Sequence, residues 1–303
     1  MKKYTVLLFI LVTVLLLAGC SKGNKNLTAT VPAATEESEQ EEPSRAVEDS
    51  TAAPAVSDAT LPETVLVDEE GIKVTATGID KDALFGTEIF LLIENNTDQA
   101  LIFQSERVSV NGYMVESIMS SEVAAGKKAN DTLTLIDSDM EASGIDTIDE
   151  IELYLHVFNV DTWEDYYNSS AITLKTSDAD SHTQTYDDSG ELIYEGNGIK
   201  IVAKNLEANE LLGQSLFVYL ENNGSQAVIV QTRDVSVNGF MMDSVFSVDI
   251  LPGKRAVNSI LFLNDDLEKN GIETIEEIEL SLCILDFNTW DILFETRPIK
   301  ITF

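Results

Sequence analysis

The chain contains one stretch of sequence twice. Residues 71–176 align with 198–303 at a constant offset of 127, without a gap, and about 39 of those 106 positions are identical. This is far above chance for unrelated segments. Gly71-Ile72-Lys73 returns as Gly198-Ile199-Lys200, Glu94-Asn95-Asn96 as Glu221-Asn222-Asn223, and Val108–Gly112 as Val235–Gly239. Ile148–Leu155 returns as Ile275–Leu282, and Thr162-Trp163 as Thr289-Trp290. Two copies of one domain are expected, over 62–176 and 191–303, joined by a polar linker at 177–190.

Each copy reads as strands. Val74 and Ala76, like Ile201 and Ala203, alternate with polar residues as a strand with one buried face does. Ile89–Ile93 and Leu216–Leu220 are short apolar runs bounded by Asn-rich turns and suit a central strand. Asn111-Gly112 and Asn238-Gly239 signal hairpins, because a type I′ turn needs positive φ at both central residues. Ile151, Leu153, Leu155 and Val157 form an inward row, repeated by Ile278, Leu280, Leu282 and Ile284. A short helical turn is expected at Asp139–Ser143 and again at Asp266–Asn270, closed by Gly144 and Gly271 as left-handed caps. About seven or eight strands in roughly 110 residues predict an all-β chain of two tandem antiparallel β-sandwiches.

A leader precedes the copies. Lys2 and Lys3 are followed by an apolar run from Val6 to Ala18, the order of an export signal. At about 13 residues it is too short to span a bilayer core of roughly 30 Å. It ends in Leu17-Ala18-Gly19-Cys20, which resembles the lipobox of bacterial lipoproteins. The resemblance implies that residues 1–19 are a signal peptide and that the Cys20 sulfur carries lipid. The chain is then anchored on the cell membrane, facing the extracytoplasmic side. One acyl chain binds a membrane reversibly and two bind it stably, at about 0.8 kcal/mol per buried CH₂.

Residues 20–61 are rich in Thr, Ala, Ser, Pro and Glu, with Glu36, Glu37, Glu39, Glu41 and Glu42 clustered and no apolar period. Such a segment buries too little apolar surface to offset its chain entropy and is expected to be a disordered acidic tether, with a root-mean-square reach of about 35 Å. The formal net charge is −34, from 53 acidic and 19 basic residues, and loss of Lys2 and Lys3 makes the mature chain more acidic still. Nucleic acid is excluded as a partner, since its binding needs clustered Lys or Arg to release counterions. With Cys20 lipidated, Cys283 is the only thiol left, so no internal disulfide is expected.

The repeated positions resemble immunoglobulin-like domains of unknown function found in tandem on bacterial surface lipoproteins. The resemblance rests on the Val-Ser-Val-Asn-Gly hairpin, the Pro252-Gly253-Lys254 turn (Ala125-Gly126-Lys127 in the first copy), and the Gly-Ile, Ile-Glu and Thr-Trp positions. It implies an immunoglobulin-like sandwich and brings no activity with it. The antibody-type Cys pair with a central Trp is absent.

Four side chains are candidates for binding: Trp163, Trp290, Tyr113 and Met242. A Trp at a hairpin tip can anchor sugar, peptide or protein contacts, being large, rigid and amphipathic. The competing expectation, preferred on sequence grounds, is that each Trp closes the open end of its sandwich; an exposed indole in both copies would reverse that preference. Tyr113 and Met114, with Phe240, Met241 and Met242, could make an adaptable apolar patch beside the Asn-Gly turns, although alternate residues of a strand leaving a hairpin should be core. Asp137, Asp139 and Glu141, with Asp265, Asp266 and Glu268, could offer oxygens to Ca²⁺. They lack the calcium-loop spacing, and acids at the start of a helical turn are better explained by capping and the helix dipole. No metal and no cofactor are expected.

Catalysis finds little support. His156 occupies the repeat position of Cys283, so the two fall in different copies, and His182 lies in the linker. No phosphate loop, zinc-protease pair or nucleophile elbow occurs. The expectation is a non-enzymatic, membrane-anchored lipoprotein displaying two immunoglobulin-like domains for protein or glycan binding, or for envelope assembly. A passive spacer and a carrier of a small ligand or Ca²⁺ are the alternatives.

Overall fold

A computed structural model describes residues 60–209 and 211–303. The leader, Cys20 and nearly all of the expected tether lie outside the described residues. Both copies fall within one compact unit, and the described residues are all-β apart from two short helices.

The first copy runs β1 (Thr64–Glu69), β2 (Ile72–Asp80), β3 (Thr87–Asn95), β4 (Leu101–Val110), β5 (Tyr113–Met114), β6 (Ser117–Ile118), β7 (Ser120–Val123), β8 (Lys127–Leu135), α1 (Asp137–Ala142), β9 (Glu150–Asn159), β10 (Asp165–Asn168) and β11 (Ile172–Lys175). The second runs β12 (Glu191–Gly196), β13 (Ile199–Asn209), β14 (Gly213–Asn222), β15 (Val228–Val237), β16 (Phe240–Met241), β17 (Ser247–Ile250), β18 (Arg255–Leu263), α2 (Asn264–Lys269), β19 (Glu277–Asp286), β20 (Ile292–Glu295) and β21 (Ile299–Thr302). Each copy is an immunoglobulin-like antiparallel sandwich. One sheet has the order β1-β2-β3-β8, and the other is built on β4 and β9 with β7, β10 and β11 beside them; the second copy repeats both.

The inward rows fill the core as the period predicts. Ile151, Leu153, Leu155 and Val157 are buried, as are Ile278, Leu280, Leu282 and Ile284. Each contributes roughly 1.5–3 kcal/mol through burial, and a one-residue slip would turn the whole row to solvent. β4 changes parity midway. Leu101 and Phe103 point inward before a bulge between Glu106 and Ser109, and Val108 and Val110 point inward after it. The extra residue, Arg107, takes φ of 50°, and its repeat Asp234 does the same in β15.

Two further devices recur. Asn95 is fully buried in β3, donating to Gln99 O and to Val123 O of the opposite sheet, both at 2.8 Å, while its Oδ1 accepts the Thr97 N–H. Asn222 repeats this tie with Gln226 O, Ile250 O and the Gly224 N–H. After α1, Gly144 (φ 63°) donates to Glu141 O and Ile145 to Met140 O; after α2, Gly271 (φ 69°) and Ile272 do the same to Glu268 and Leu267. Both ends are Schellman motifs with their apolar contact buried.

The 177–190 linker is stitched to both copies. His182 Nδ1 meets the Asp149 carboxylate at 2.8 Å, and Gln184 accepts from Asn111 Nδ2 at 3.0 Å. Lys204 Nζ reaches Asp187, and Lys200 reaches Asp188. The copies also touch directly: Gly112 O accepts the Arg255 N–H at 3.0 Å, a one-residue parallel bridge that joins β5 to β18.

Candidate functional site: two tryptophan hairpins and two Asn-Gly hairpins

The β9–β10 hairpin is organised by Asn159. Its Oδ1 accepts the N–H groups of Asp161 and Thr162, and its carbonyl accepts the Trp163 N–H at 2.9 Å. Its own N–H closes the turn on Glu164 O at 3.0 Å. This winding leaves Trp163 in the left-handed region, φ 59°. Asp286 does the same in the second copy, holding Asn288 and Thr289 by its side chain and leaving Trp290 at φ 62°. Glycine is the ordinary occupant of such a position; a bulky residue there costs roughly 1–2 kcal/mol.

Both indoles are exposed, Trp163 by 64% and Trp290 by 57%. The expected end-capping role is therefore reversed, because left-handed backbone at the tip turns each side chain away from the core. Trp163 stacks on the buried ring of Phe158 at 5.4 Å between centroids, leaving its other face open. Asp161, Thr162, Glu164 and Asp165 around it are all exposed. In the second copy Leu285 stands in place of Phe158 and is likewise buried.

Tyr113 is not a surface residue: it is 1% exposed. The Asn-Gly hairpin that carries it docks on the second copy, and the linker residue Tyr186 packs on it with ring centroids 5.4 Å apart. Arg255 in turn lies 3.8 Å over the Tyr186 ring. Burial pushes the Tyr113 phenol up to about 12. Met242 is half-buried against the second core, while its neighbours Phe240 (48%) and Met241 (68%) are exposed. Of the expected patch, Phe240 and Met241 are at the surface, while Met242 is half-buried and Tyr113 of the first copy is core.

The Asn side chains of these hairpins clamp a neighbouring loop. Asn111 Nδ2 donates to Thr147 O and its Oδ1 accepts the N–H groups of Asp149 and Glu150; Asn238 does the same with Thr274, Glu276 and Glu277.

The acids of α1 brace neighbouring segments rather than its own end. Asp137 accepts the Thr87 N–H, Asp139 accepts the Glu116 N–H, and no side chain caps either helix. Burial raises the carboxyls of Glu116, Asp139 and Asp249, which line a cavity of about 160 Å³ between the copies together with Arg107 and Asn258. Among the described residues no group of three His, Cys, Asp or Glu side chains is placed to hold a metal ion. His156 lies between Glu106 and Asp165, and Cys283 is buried, which raises its thiol.

Sequence reasoning missed one repeated surface. Leu84 and Phe85, between β2 and β3, are exposed, and so are Leu211 and Leu212 at the same offset. The detectable signal was an apolar pair before Gly86 and Gly213 in both copies.

No known family matches the chain, and no curated protein matches it. Among solved structures, a chain of the Salmonella enterica SafA pilin in complex with the SafB chaperone is similar at 10% identity, over 78% of this chain and 98% of that one, with a TM-score of 0.22. A protein of unknown function from Porphyromonas gingivalis is similar at 13% identity, over 78% and 94%, with a TM-score of 0.20. The fold assignment rests on the strand pairings themselves.

Proposed function

We propose that the chain is a lipid-anchored, extracytoplasmic, non-enzymatic display protein whose two immunoglobulin-like domains bind a protein or glycan through Trp163 and Trp290. One observation carries this reading: in both copies an exposed indole occupies a backbone position that glycine would fill at lower cost. Neither copy needs the side chain to close its core. Exposed aromatic anchors supply much of the binding energy at recognition surfaces. Lipid on Cys20, carried after a removed leader, would hold the sandwiches on the membrane, and no helix of the described residues is long and apolar enough to cross one.

The test separates stability from binding. Trp163→Gly with Trp290→Gly should leave the melting temperature unchanged or raise it by a few degrees, because left-handed strain is relieved. The same variant should lose the partners that wild type captures on a glycan array or by cross-linking on intact cells. Equal capture by both proteins sinks the reading. Cys20→Ser should move the chain from the membrane fraction to the medium, and an unchanged distribution would refute the anchor.

A further inference from the structure

The Asn-Gly hairpin of the first copy is covered by the second copy. The same hairpin of the second copy ends in Phe240 and Met241, both exposed. What covers the first is known in detail. Gly112 O accepts the Arg255 N–H, and Lys254 Nζ lies 3.3 Å from Glu152 Oε1, with both of those side chains largely buried. Tyr113 shares one apolar cluster with Val202, Tyr219 and Val257 of the second copy.

Shifting every residue of this joint by 127 gives two halves, and both are open. The donor half becomes Gly239, Phe240 and Glu279 in the second copy; all three are exposed. The acceptor half becomes Lys127 and Lys128 in the first copy, exposed at the start of β8, with Phe90 and Leu92 on β3 beside them. Among the described residues the strand edge needed for the bridge is free there, since β6 pairs with β8 only at Thr134 and Leu135. Charge agrees: in a chain of 53 acidic and 19 basic residues the acceptor edge carries exposed Lys127 beside Lys128, which is paired with Glu94 at 2.6 Å, and the donor half carries exposed Glu279.

We propose that these halves bind each other between molecules. The Asn238–Phe240 hairpin of one chain docks on the Lys127–Lys128 edge of a second copy of the chain, repeating head to tail the joint each chain already holds internally. Lys127 with Glu279 reproduces Lys254 with Glu152, and Phe240 takes the place of Tyr113. A heterologous contact of this kind leaves one donor and one acceptor free at each step, so assembly continues past the dimer unless its rotation closes a ring. It is weaker than the internal joint, because Leu92 and Asn130 stand where Tyr219 and Val257 stand. The proposal is independent of the tryptophan hairpins: Trp290 stays exposed close to an occupied joint, where Arg107 lies 5.6 Å from the Phe287 ring.

Sedimentation velocity on the full chain in mild detergent, from micromolar to millimolar, tests it. The expected result is a mass that grows with concentration past the dimer. Lys127→Glu and Glu279→Lys should each weaken association roughly tenfold or more, and mixing the two variants should restore it, because each supplies the charge the other lacks. Both substituted positions are exposed, so circular dichroism should be unchanged. The double Trp→Gly variant should associate like wild type, which keeps failure of the binding reading separate. A monomer at every concentration overturns the proposal. So does a dimer that stops growing and is lost with Phe240→Ser but indifferent to both charge swaps, since that is a two-fold contact.

Discussion

Tyr113 and Phe240 occupy the same place in the same hairpin, two residues after an Asn that makes the same loop clamp, yet one is 1% exposed and the other 48%. The local backbone is alike: Asn111 and Asn238 have φ of 50° and 49°, and Gly112 and Gly239 of 84° and 81°. What differs is the neighbour. The hairpin is therefore a module whose aromatic residue is core or surface according to whether another copy stands beside it.

The largest expected effect follows from that contrast. Tyr113→Ala should cost about 3–5 kcal/mol in urea unfolding, as for other large buried aromatics, whereas Phe240→Ala should stay within roughly 0.5 kcal/mol in dilute protein. Equal costs would break the comparison. Next comes the clamp: Asn111→Gly and Asn238→Gly keep the left-handed turn and remove the side-chain hydrogen bonds, so each should cost about 1–3 kcal/mol. Asn111 should cost the more, through its added bond to Gln184.

A smaller effect concerns the strap that belongs to the first hairpin alone. Hydrogen bonds from Lys204 and Ser189 hold the Asp187 carboxyl well below the usual carboxylate range. A depressed value stabilises the folded chain above the ordinary aspartate range near pH 4 and is lost as pH falls toward the folded value. Protection of linker amides, taken relative to the intrinsic exchange rate at each pH, should therefore fall on acidification before that of the core strands, and Asp187→Asn should abolish that step. The smallest effect is at Asp249, whose carboxyl is raised by burial in the cavity between the copies. A raised value favours the folded state at low pH and costs stability as pH rises through it. Asp249→Asn should then stabilise at neutral pH, and the gain should vanish in acid. Because Asp249 keeps much of its surface in water, the gain is a few tenths, roughly 0.3 kcal/mol.

Much of the fold was legible because its determinants are local. The period-two rows of β9 and β19, the glycine caps after α1 and α2, and the Asn-Gly turns each depend on a few adjacent residues. The rest depends on distant ones. Nothing beside Arg107 or Asp234 announces a bulge, since neither is glycine and the parity change shows only once Val108 and Val110 are seen facing inward. Asn95 and Asn222 read as turn residues, and their role as ties between sheets needs carbonyls 28 positions away. The tryptophans were placed correctly at hairpin tips, but their outward direction follows from a φ that Asp-Thr-Trp does not signal. Tyr113 was misread because its burial is decided in the other copy.

The two tryptophans are the only ones in the chain, and both stand in water. Heating or urea should dissolve both cores while the indole emission maximum hardly moves, since its surroundings are aqueous before and after. Tyrosine bands in the near ultraviolet, from Tyr113 and Tyr219, would report unfolding instead. The red-edged emission of the native protein is then a nearly dark background, on which any molecule settling over either ring would register as a shift toward the blue.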